Sequence, residues 1–448
     1  MNVFPRMGLI WSGSVLLIGI LTTTLFAAES MDIDNGTAPD TSTLRLSLRE
    51  AMEASIDQNP TVQLFKERIT QAQDQADTQL GTLLPNISGE VSGARRRFFL
   101  GSFGGSSSVS KPTDFYQTRA SLTQNIFSLS LIQKWQASKT GVEVAHLDSE
   151  IQKRDTMAAV GLVYLETLRA AAAVKARKAD VILNKKLLQL AQERKTAGMA
   201  TSLDVTRAQV QFENEKLRLL VARNARDQST LNLLRAIGLP FSVTLELTDE
   251  LKLVSLPDQS PEEALRVAKE NRIELKAQAR RERLAALSLS SVVSERLPSL
   301  QGSGDIGLIG NQPADALITD NVQVLMSIPI FDGGQREGRI SENRSLVRQE
   351  SIRTRDLQYQ ISLEVRGALL TLESTRQEVG VTKVGMRLAV TELNLARERF
   401  SVGVATNIEV TDAQTSVAQA RDNLIQALFK FNASRVDLAR AQGRLQDL

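Results

Sequence analysis

The chain has 448 residues, 4% of them aromatic and 23% charged, with a formal net charge of +3 and no cysteine. The missing thiols exclude disulfides, thiolate metal sites and a lipidated N-terminal cysteine, and so small a charge on so long a chain gives no electrostatic footprint for nucleic acid. Abundant Ala, Leu, Gln, Arg and Glu favour long helices over a large globular core.

Residues 1–28 read as a secretory signal: Arg6 supplies the positive start, and Leu9 to Phe26 is apolar apart from small polar residues. Cleavage fits after Ala28 or after Ser30, and an uncleaved membrane anchor is the alternative. Past Ser30 there is no run of roughly 20 uninterrupted apolar residues, so an exported chain without a transmembrane helix is expected. An N-terminal extension, residues 29–45, leads into a first repeat, 46–237. Leu48 to about Leu84 is helix-favouring, with Pro60 breaking it near its start and Asn59 placed to cap a fresh helix.

After Pro85 the period changes from helical to alternating. Ile87, Gly89, Val91 and Gly93 oppose Asn86, Ser88, Glu90 and Ser92, and Thr118, Ala120, Leu122, Gln124 and Ile126 oppose Gln117, Arg119, Ser121, Thr123 and Asn125. This predicts a β-hairpin over 86–126, with an exposed loop from Ala94 to Asp114. Its Arg95, Arg96 and Arg97 suit anionic head groups or plain solvent. Gly101-Ser102-Phe103-Gly104-Gly105 lacks the Lys-Ser/Thr and following helix of a phosphate loop.

No proline lies between Pro112 and Pro240. Phe127 to about Ala197 is predicted as one helix, about 70 residues and roughly 100 Å long, followed by a second from Leu203 to Ile237. Gly198 suits the positive-φ residue ending the first, and Thr201 or Ser202 caps the second. The pair is a helical hairpin with its tip near residue 198. A linker, 238–261, holds three prolines and the alternating run Val243 to Leu247, an edge-strand candidate.

The second repeat, 262–448, brings the same parts. Glu262 to about Leu297 is helical and ends at Pro298. A β-hairpin over 299–330 sets Leu300, Gly302, Gly304, Ile306 and Leu308, then Val322, Val324, Met326, Ile328 and Ile330, on one face. Phe331 to about Val402 and Ile408 to about Leu445 form the second helical hairpin, with Gly403 at the tip and Thr406 or Asn407 as cap. Pro85 returns as Pro298, and Gly198, Thr201, Asp204, Ala208 and Gln209 return as Gly403, Thr406, Glu409, Ala413 and Gln414. A period this long means two pseudo-equivalent halves.

Four strands of about ten residues have the length that crosses a bilayer at barrel tilt. A soluble sheet packed on helices is the competing reading. The continuous small-sided polar face fits a wet lumen, and the other face is too glycine-rich to fill a dense core. Four strands cannot close a barrel, and an open edge is forbidden in hydrocarbon. Three copies give twelve strands and a backbone radius of roughly 12 Å. The fold class expected from the residues is therefore mainly α with a small β part, several chains contributing strands to one barrel and the long helices forming a tube below it.

The duplicated Gly198-x-x-Thr201-x-x-Asp204-Val205-x-x-Ala208-Gln209 and Gly403-x-x-Thr406-x-x-Glu409-Val410-x-x-Ala413-Gln414 resemble the TolC-like outer-membrane efflux proteins. Ile330-Phe331-Asp332-Gly333-Gly334, Leu84-Pro85 and Leu297-Pro298 add to the resemblance, in the family's order. Ile126-Phe127-Ser128-Leu129 departs from it, lacking the Gly-Gly pair. The resemblance implies a homotrimer, a trimeric twelve-stranded outer-membrane β-barrel continued by a long α-helical barrel, in the cell outer membrane and in contact with its lipid, with the helical part in the periplasm. It implies a non-enzymatic exit duct of a tripartite efflux or type I secretion system, without cofactor. Its partners would be a periplasmic adaptor (membrane fusion protein) and an inner-membrane RND, ABC or MFS transporter.

The resemblance also makes Gly198, Thr201, Leu203, Gly403, Thr406 and Ile408 adaptor-docking tip residues. It places gate carboxylates at Glu409 and Asp412, with Asp204 the first-half counterpart of Glu409. Arg207 stands at the counterpart of Asp412, and Ala405 where the family carries a basic latch. The competing class is a periplasmic coiled-coil scaffold or adaptor without a barrel, which normally carries one helical hairpin between β domains rather than two. His146, the only histidine, reads as a surface or packing residue, and Tyr164, Leu165 and Leu168 as packing between helices.

Overall fold

The computed structural model describes residues 43–99, 108–255, 257 and 259–447, all within one unit. The signal, most of the N-terminal extension and the glycine-rich loop lie outside the described residues. In chain order the elements are β1 (Thr43–Leu46), α1 (Leu48–Gln58), α2 (Pro60–Gly81), β2 (Asn86–Arg96), β3 (Thr113–Phe127), α3 (Leu129–Thr196) and α4 (Ser202–Ile237). Then follow β4 (Thr244–Leu247), α5 (Pro261–Asn271), α6 (Ile273–Ser294), β5 (Ser299–Gly310), β6 (Leu317–Ser327), α7 (Gln335–Ser401) and α8 (Asn407–Gln442). The chain is mainly helical, with four long antiparallel strands in the order β2-β3-β5-β6.

Local chemistry sets most boundaries. Ser47 and Glu50 form a reciprocal capping box on α1, with the Ser47 amide donating to Glu50 Oε2 at 2.7 Å. Asn59 Oδ1 accepts from the Thr61 amide at 2.8 Å, and Pro60 starts α2. In the second half the sequence led to one helix from Glu262 to about Leu297, but the structure divides it at Arg272, where no proline stands.

The repeat explains that break. Asn59 Nδ2 donates to the Ala236 carbonyl at 2.7 Å, and Arg272, at the matching place, donates from Nη1 to the Ala441 carbonyl at 3.2 Å. Gly238 ends α4 with φ +97°, and a Cβ there would lie 2.3 Å from the Gln58 carbonyl oxygen. Gly443 ends α8 with φ +73°, 2.9 Å by the same measure from the Asn271 oxygen. Each helical hairpin thus closes onto the preceding helix junction of its own half through the same pair of contacts.

The main core gathers Met52, Val160, Tyr164, Leu165, Leu233 and Ile237 with Val436 of α8. Full burial of side chains this size contributes about 1.5–3 kcal/mol each. Tyr164 is wholly buried, and its hydroxyl donates to the Leu46 carbonyl (2.9 Å) and lies 3.0 Å from Asp249 Oδ2. Burial and the neighbouring carboxylate push that hydroxyl well above its ordinary pKa. Over this core β1 and β4 pair in parallel, Leu46 against Leu247. The alternating run in the linker is therefore a strand, and its partner precedes α1.

Past Ser30 α3 alone among the described helices is, by length and overall composition, apolar enough to cross a membrane, although it holds no uninterrupted apolar run long enough to span one. Its Val160, Gly161, Tyr164, Leu165 and Leu168 are buried, so this helix owes its apolar character to the core.

Away from that core the long helices meet through small and charged residues. Asp180 of α3 accepts from Arg177 (3.1 Å) and from Arg421 of α8 (2.5 Å), and Arg177 also pairs with Asp422. A smaller apolar cluster, Ala389, Leu393, Ala396, Val410, Ala413 and Val417, zips α7 to α8 near their tip.

Candidate channel wall and hairpin tips

The strand register sorts the sheet into two faces. Ile87 pairs with Leu122, Leu122 with Gly304, and Gly304 with Val322; Val91, Thr118, Leu308 and Ile318 form a second such row. Ile87 is 78% exposed and Val322 84%. A sheet face with this much exposed apolar area, rich in glycine, is a surface for lipid rather than for water. Asp320 interrupts it near the loop end of β6.

The opposite face is polar. Ser88, Ser121, Asp305 and Asn321 share one row. The two serine hydroxyls lie 2.8 Å apart, and Asn321 Nδ2 donates to Asp305 Oδ2 at 3.4 Å. Arg119, one row up, places Nη1 3.0 Å from Asp305 Oδ1. Phe115, Ile309, Leu317 and Leu325 are the large apolar exceptions on this side. At the loop end of β2 Arg95, Arg96 and the following Arg97 are exposed, and Arg95 Nε lies 3.5 Å from Asp114.

At the other end of the helices the two tips have one design. Gly198 (φ +74°) and Gly403 (φ +84°) carry the left-handed turn. The amides of Met199 and Val404 donate back to the carbonyls of Arg194 (2.8 Å) and Arg399 (3.0 Å), closing the helix ends. In the first tip Thr201 and Asp204 complete a capping box. The Thr201 amide and hydroxyl both donate to Asp204 Oδ2, at 2.9 and 2.7 Å. The hydroxyl and then the amide of Thr201 hold the Asp204 carboxyl below the usual carboxylate range.

In the second tip Thr406 makes no side-chain cap bond. Glu409 instead places Oε2 3.7 Å from Arg399 Nη2, and Asp412 is exposed on the same helix. Met199 and Leu203 on the first tip, with Val404 and Ile408 on the second, are exposed apolar side chains at matching places.

Sequence reasoning missed two arginines here. Arg194 donates to the Phe400 carbonyl at 2.9 Å and stacks over the Phe400 ring at 4.4 Å, joining the two tips. Arg399, its counterpart, holds Glu409. Both stand in the repeated Glu-Arg pairs, Glu193-Arg194 and Glu398-Arg399, which were the available signal. His146 is exposed on α3, and among the described residues no cluster of three or more His, Asp or Glu could hold a metal ion.

A membrane-facing sheet carried on two long helical hairpins defines a class: the subunit of an outer-membrane channel. The model of the outer membrane efflux protein family matches residues 51–239 and 264–444, and the chain belongs to that family. It is 21% identical to outer membrane protein TolC of Escherichia coli over 343 residues, 73% of this chain and 69% of that protein. It is also 21% identical to the toluene efflux pump outer membrane protein TtgC of Pseudomonas putida, over 89% of this chain and 83% of that one. A membrane protein from Pseudomonas aeruginosa superposes with a TM-score of 0.76 at 19% identity, over 88% of this chain and 93% of that chain. The protein is an outer-membrane efflux or secretion channel, a transport protein and not an enzyme.

Proposed function

We propose that three copies of the chain close into one duct, a twelve-stranded barrel above a helical tube, and that its tips dock a periplasmic adaptor serving an inner-membrane pump. The observation that carries this reading is the state of the lateral edges. Among the described residues β2 and β6 are paired on one side only, which hydrocarbon does not tolerate. The helices at the same two edges expose apolar residues seven apart: Leu203, Val210 and Leu217 on α4, and Val381, Leu388 and Leu395 on α7 with Val402 at its C-cap. Such stripes are seams awaiting a partner helix.

Within the protomer, Arg177 of α3 pairs with Asp422 of α8. Their counterparts across the repeat are Thr382 of α7 and Leu217 of α4, on opposite edges, so the internal contact is the template for the one between copies. At the tips, the exposed Met199, Leu203, Val404 and Ile408 flank glycines that leave room for a helical hairpin from the adaptor. Gly198, Thr201, Gly403 and Thr406 shape that surface. Glu409 and Asp412, three copies of each, form an acidic throat that favours cations, and Asp204 adds charge beside it while anchoring the start of α4. The duct itself is passive.

The chain has no cysteine, so Leu217→Cys and Val381→Cys can be joined by a short bis-maleimide without background. Cross-linked dimers and trimers in native outer membranes are expected, and neither single variant should give them. A double variant that stays monomeric while folded and membrane-inserted would overturn the trimeric arrangement.

A further inference from the structure

The internal repeat carries information about how the sheet of one copy meets the sheet of the next. β2 corresponds to β5, since Pro85 returns as Pro298 just before each strand. β3 corresponds to β6: Asn86 faces Thr123 as its counterpart Ser299 faces Ser327, and Ile126-Phe127 returns as Ile330-Phe331 at the same spacing. The β3–β5 ladder therefore joins the second strand of one half to the first strand of the other, inside a single chain. The other junction of that kind is β6 with β2. These are the two edges of the sheet, so β6 can meet only the β2 of another copy.

In the β3–β5 ladder Tyr116 faces Gly310, Gln117 faces Ile309, Ser121 faces Asp305 and Thr123 faces Ser303. Carried across the repeat, these pairs become Asp320 with Arg97, Asn321 with Arg96, Leu325 with Ser92 and Ser327 with Glu90. The second residue of each pair belongs to the next copy.

The charges select the same register independently. Asp320 is exposed on the apolar face of the sheet, opposite Ile306, and among the described residues it makes no ion pair in its own chain. Arg97 is likewise exposed and without an ion pair, whereas Arg95 already has Asp114. A slip of one residue would turn every apolar side chain to the lumen. A slip of two residues one way sets Asp320 on the occupied Arg95, Arg97 on Ile318 and Glu90 on Leu325. The same slip the other way sets Asp320 on Phe99 and Arg97 on Val322. The register copied from β3–β5 is the one that opposes Asp320 to Arg97 and leaves Glu90 facing a hydroxyl.

We propose that β6 of one copy pairs with β2 of the next in this register, and that Asp320 of one copy forms an ion pair with Arg97 of the next at the loop end of each seam. The inference rests on the trimeric reading above and adds to it the residues that align the copies. Pairing removes an unpartnered carboxylate from the margin of the hydrocarbon, where it is costly. Opposite charges directly across a ladder also favour one alignment over its neighbours.

The absence of cysteine lets the register be read directly. Ser92→Cys with Leu325→Cys, facing each other on the lumen side, is expected to give disulfide-linked trimers in native outer membranes under mild oxidation. Glu90→Cys with Leu325→Cys and Ala94→Cys with Leu325→Cys report the two slipped registers. They should give about tenfold less, because a disulfide spans facing strand positions but not diagonal ones. For the ion pair, Asp320→Arg and Arg97→Asp should each lower the temperature at which trimers dissociate in detergent, and the two together should recover most of the loss. Stronger cross-linking in a slipped pair overturns the register. So does none at Ser92 and Leu325 in membranes where Leu217→Cys with Val381→Cys still joins the copies, an outcome that leaves the trimer standing. Absence of both cross-links in folded, inserted protein sinks the trimeric reading with it. A double reversal that merely sums the two single losses overturns the ion pair and leaves Arg97 facing lipid head groups.

Discussion

Replacing Gly238 by alanine tests whether the closure of each helical hairpin onto its own half holds the fold together. Two costs add at this position. At φ +97° an L side chain is strained, by about 1–2 kcal/mol. The new Cβ would also stand 2.3 Å from the Gln58 carbonyl oxygen and 2.6 Å from its carbon. That atom is backbone, fixed by the Asn59 contact to Ala236, so it cannot swing aside as a flexible side chain would. Forcing a methyl into such a site costs about 1–3 kcal/mol more.

Gly198→Ala is the internal control. Gly198 has φ +74° with nothing within 4 Å of the added methyl, so it carries only the strain of about 1–2 kcal/mol. Thermal unfolding followed by circular dichroism in detergent should rank Gly238→Ala well below Gly198→Ala in stability. Gly443→Ala, at 2.9 Å from Asn271, should fall between them. Hydrogen exchange should quicken around residues 51–62 and 233–239 in Gly238→Ala and stay local to the tip in Gly198→Ala. If Gly238→Ala is no more harmful than Gly198→Ala, the packed junction does not carry the load assigned to it.

The capping box of the first tip gives a pH dependence with a definite sign. Thr201 lowers the Asp204 pKa, so the cap's contribution is complete above the unfolded carboxylate value of about 3.9 and is lost as pH falls through the lowered folded value. Amide protection of residues 202–205 should follow that fall. Thr201→Ala, which removes the cap, should cost about 0.5–2 kcal/mol of helix-start stability at neutral pH, and protection unchanged by either treatment would refute the assignment. At the second tip, Glu409→Ala with Asp412→Ala should lower the cation preference of channels reconstituted in planar bilayers, read as a shift in reversal potential; unchanged selectivity would remove these carboxylates from the throat.

Several features are written in the chain because their causes are local. Gly198 and Gly403 mark the tips since a left-handed turn needs a residue without Cβ. Asn59 and Thr201 mark helix starts because their side-chain oxygens reach backbone amides two or three residues on. The two faces of the sheet follow from strict alternation, and the duplication from paired motifs. Together with the missing thiols, these led to strands, hairpins and the family resemblance.

Tertiary structure decided what depends on residues far apart in sequence. β1 is four residues long and gains its strand state from parallel pairing with β4 across the whole first repeat, which no local period encodes. Arg272 breaks a helix without proline, because a buried guanidinium is drawn to the Ala441 carbonyl and to Glu364 at 2.8 Å. Arg194 binds the other tip only because the two hairpins lie side by side. The same repeat positions make a paired seam inside the chain and an open edge at its side: sequence specified which residues correspond, and only packing determined which are covered.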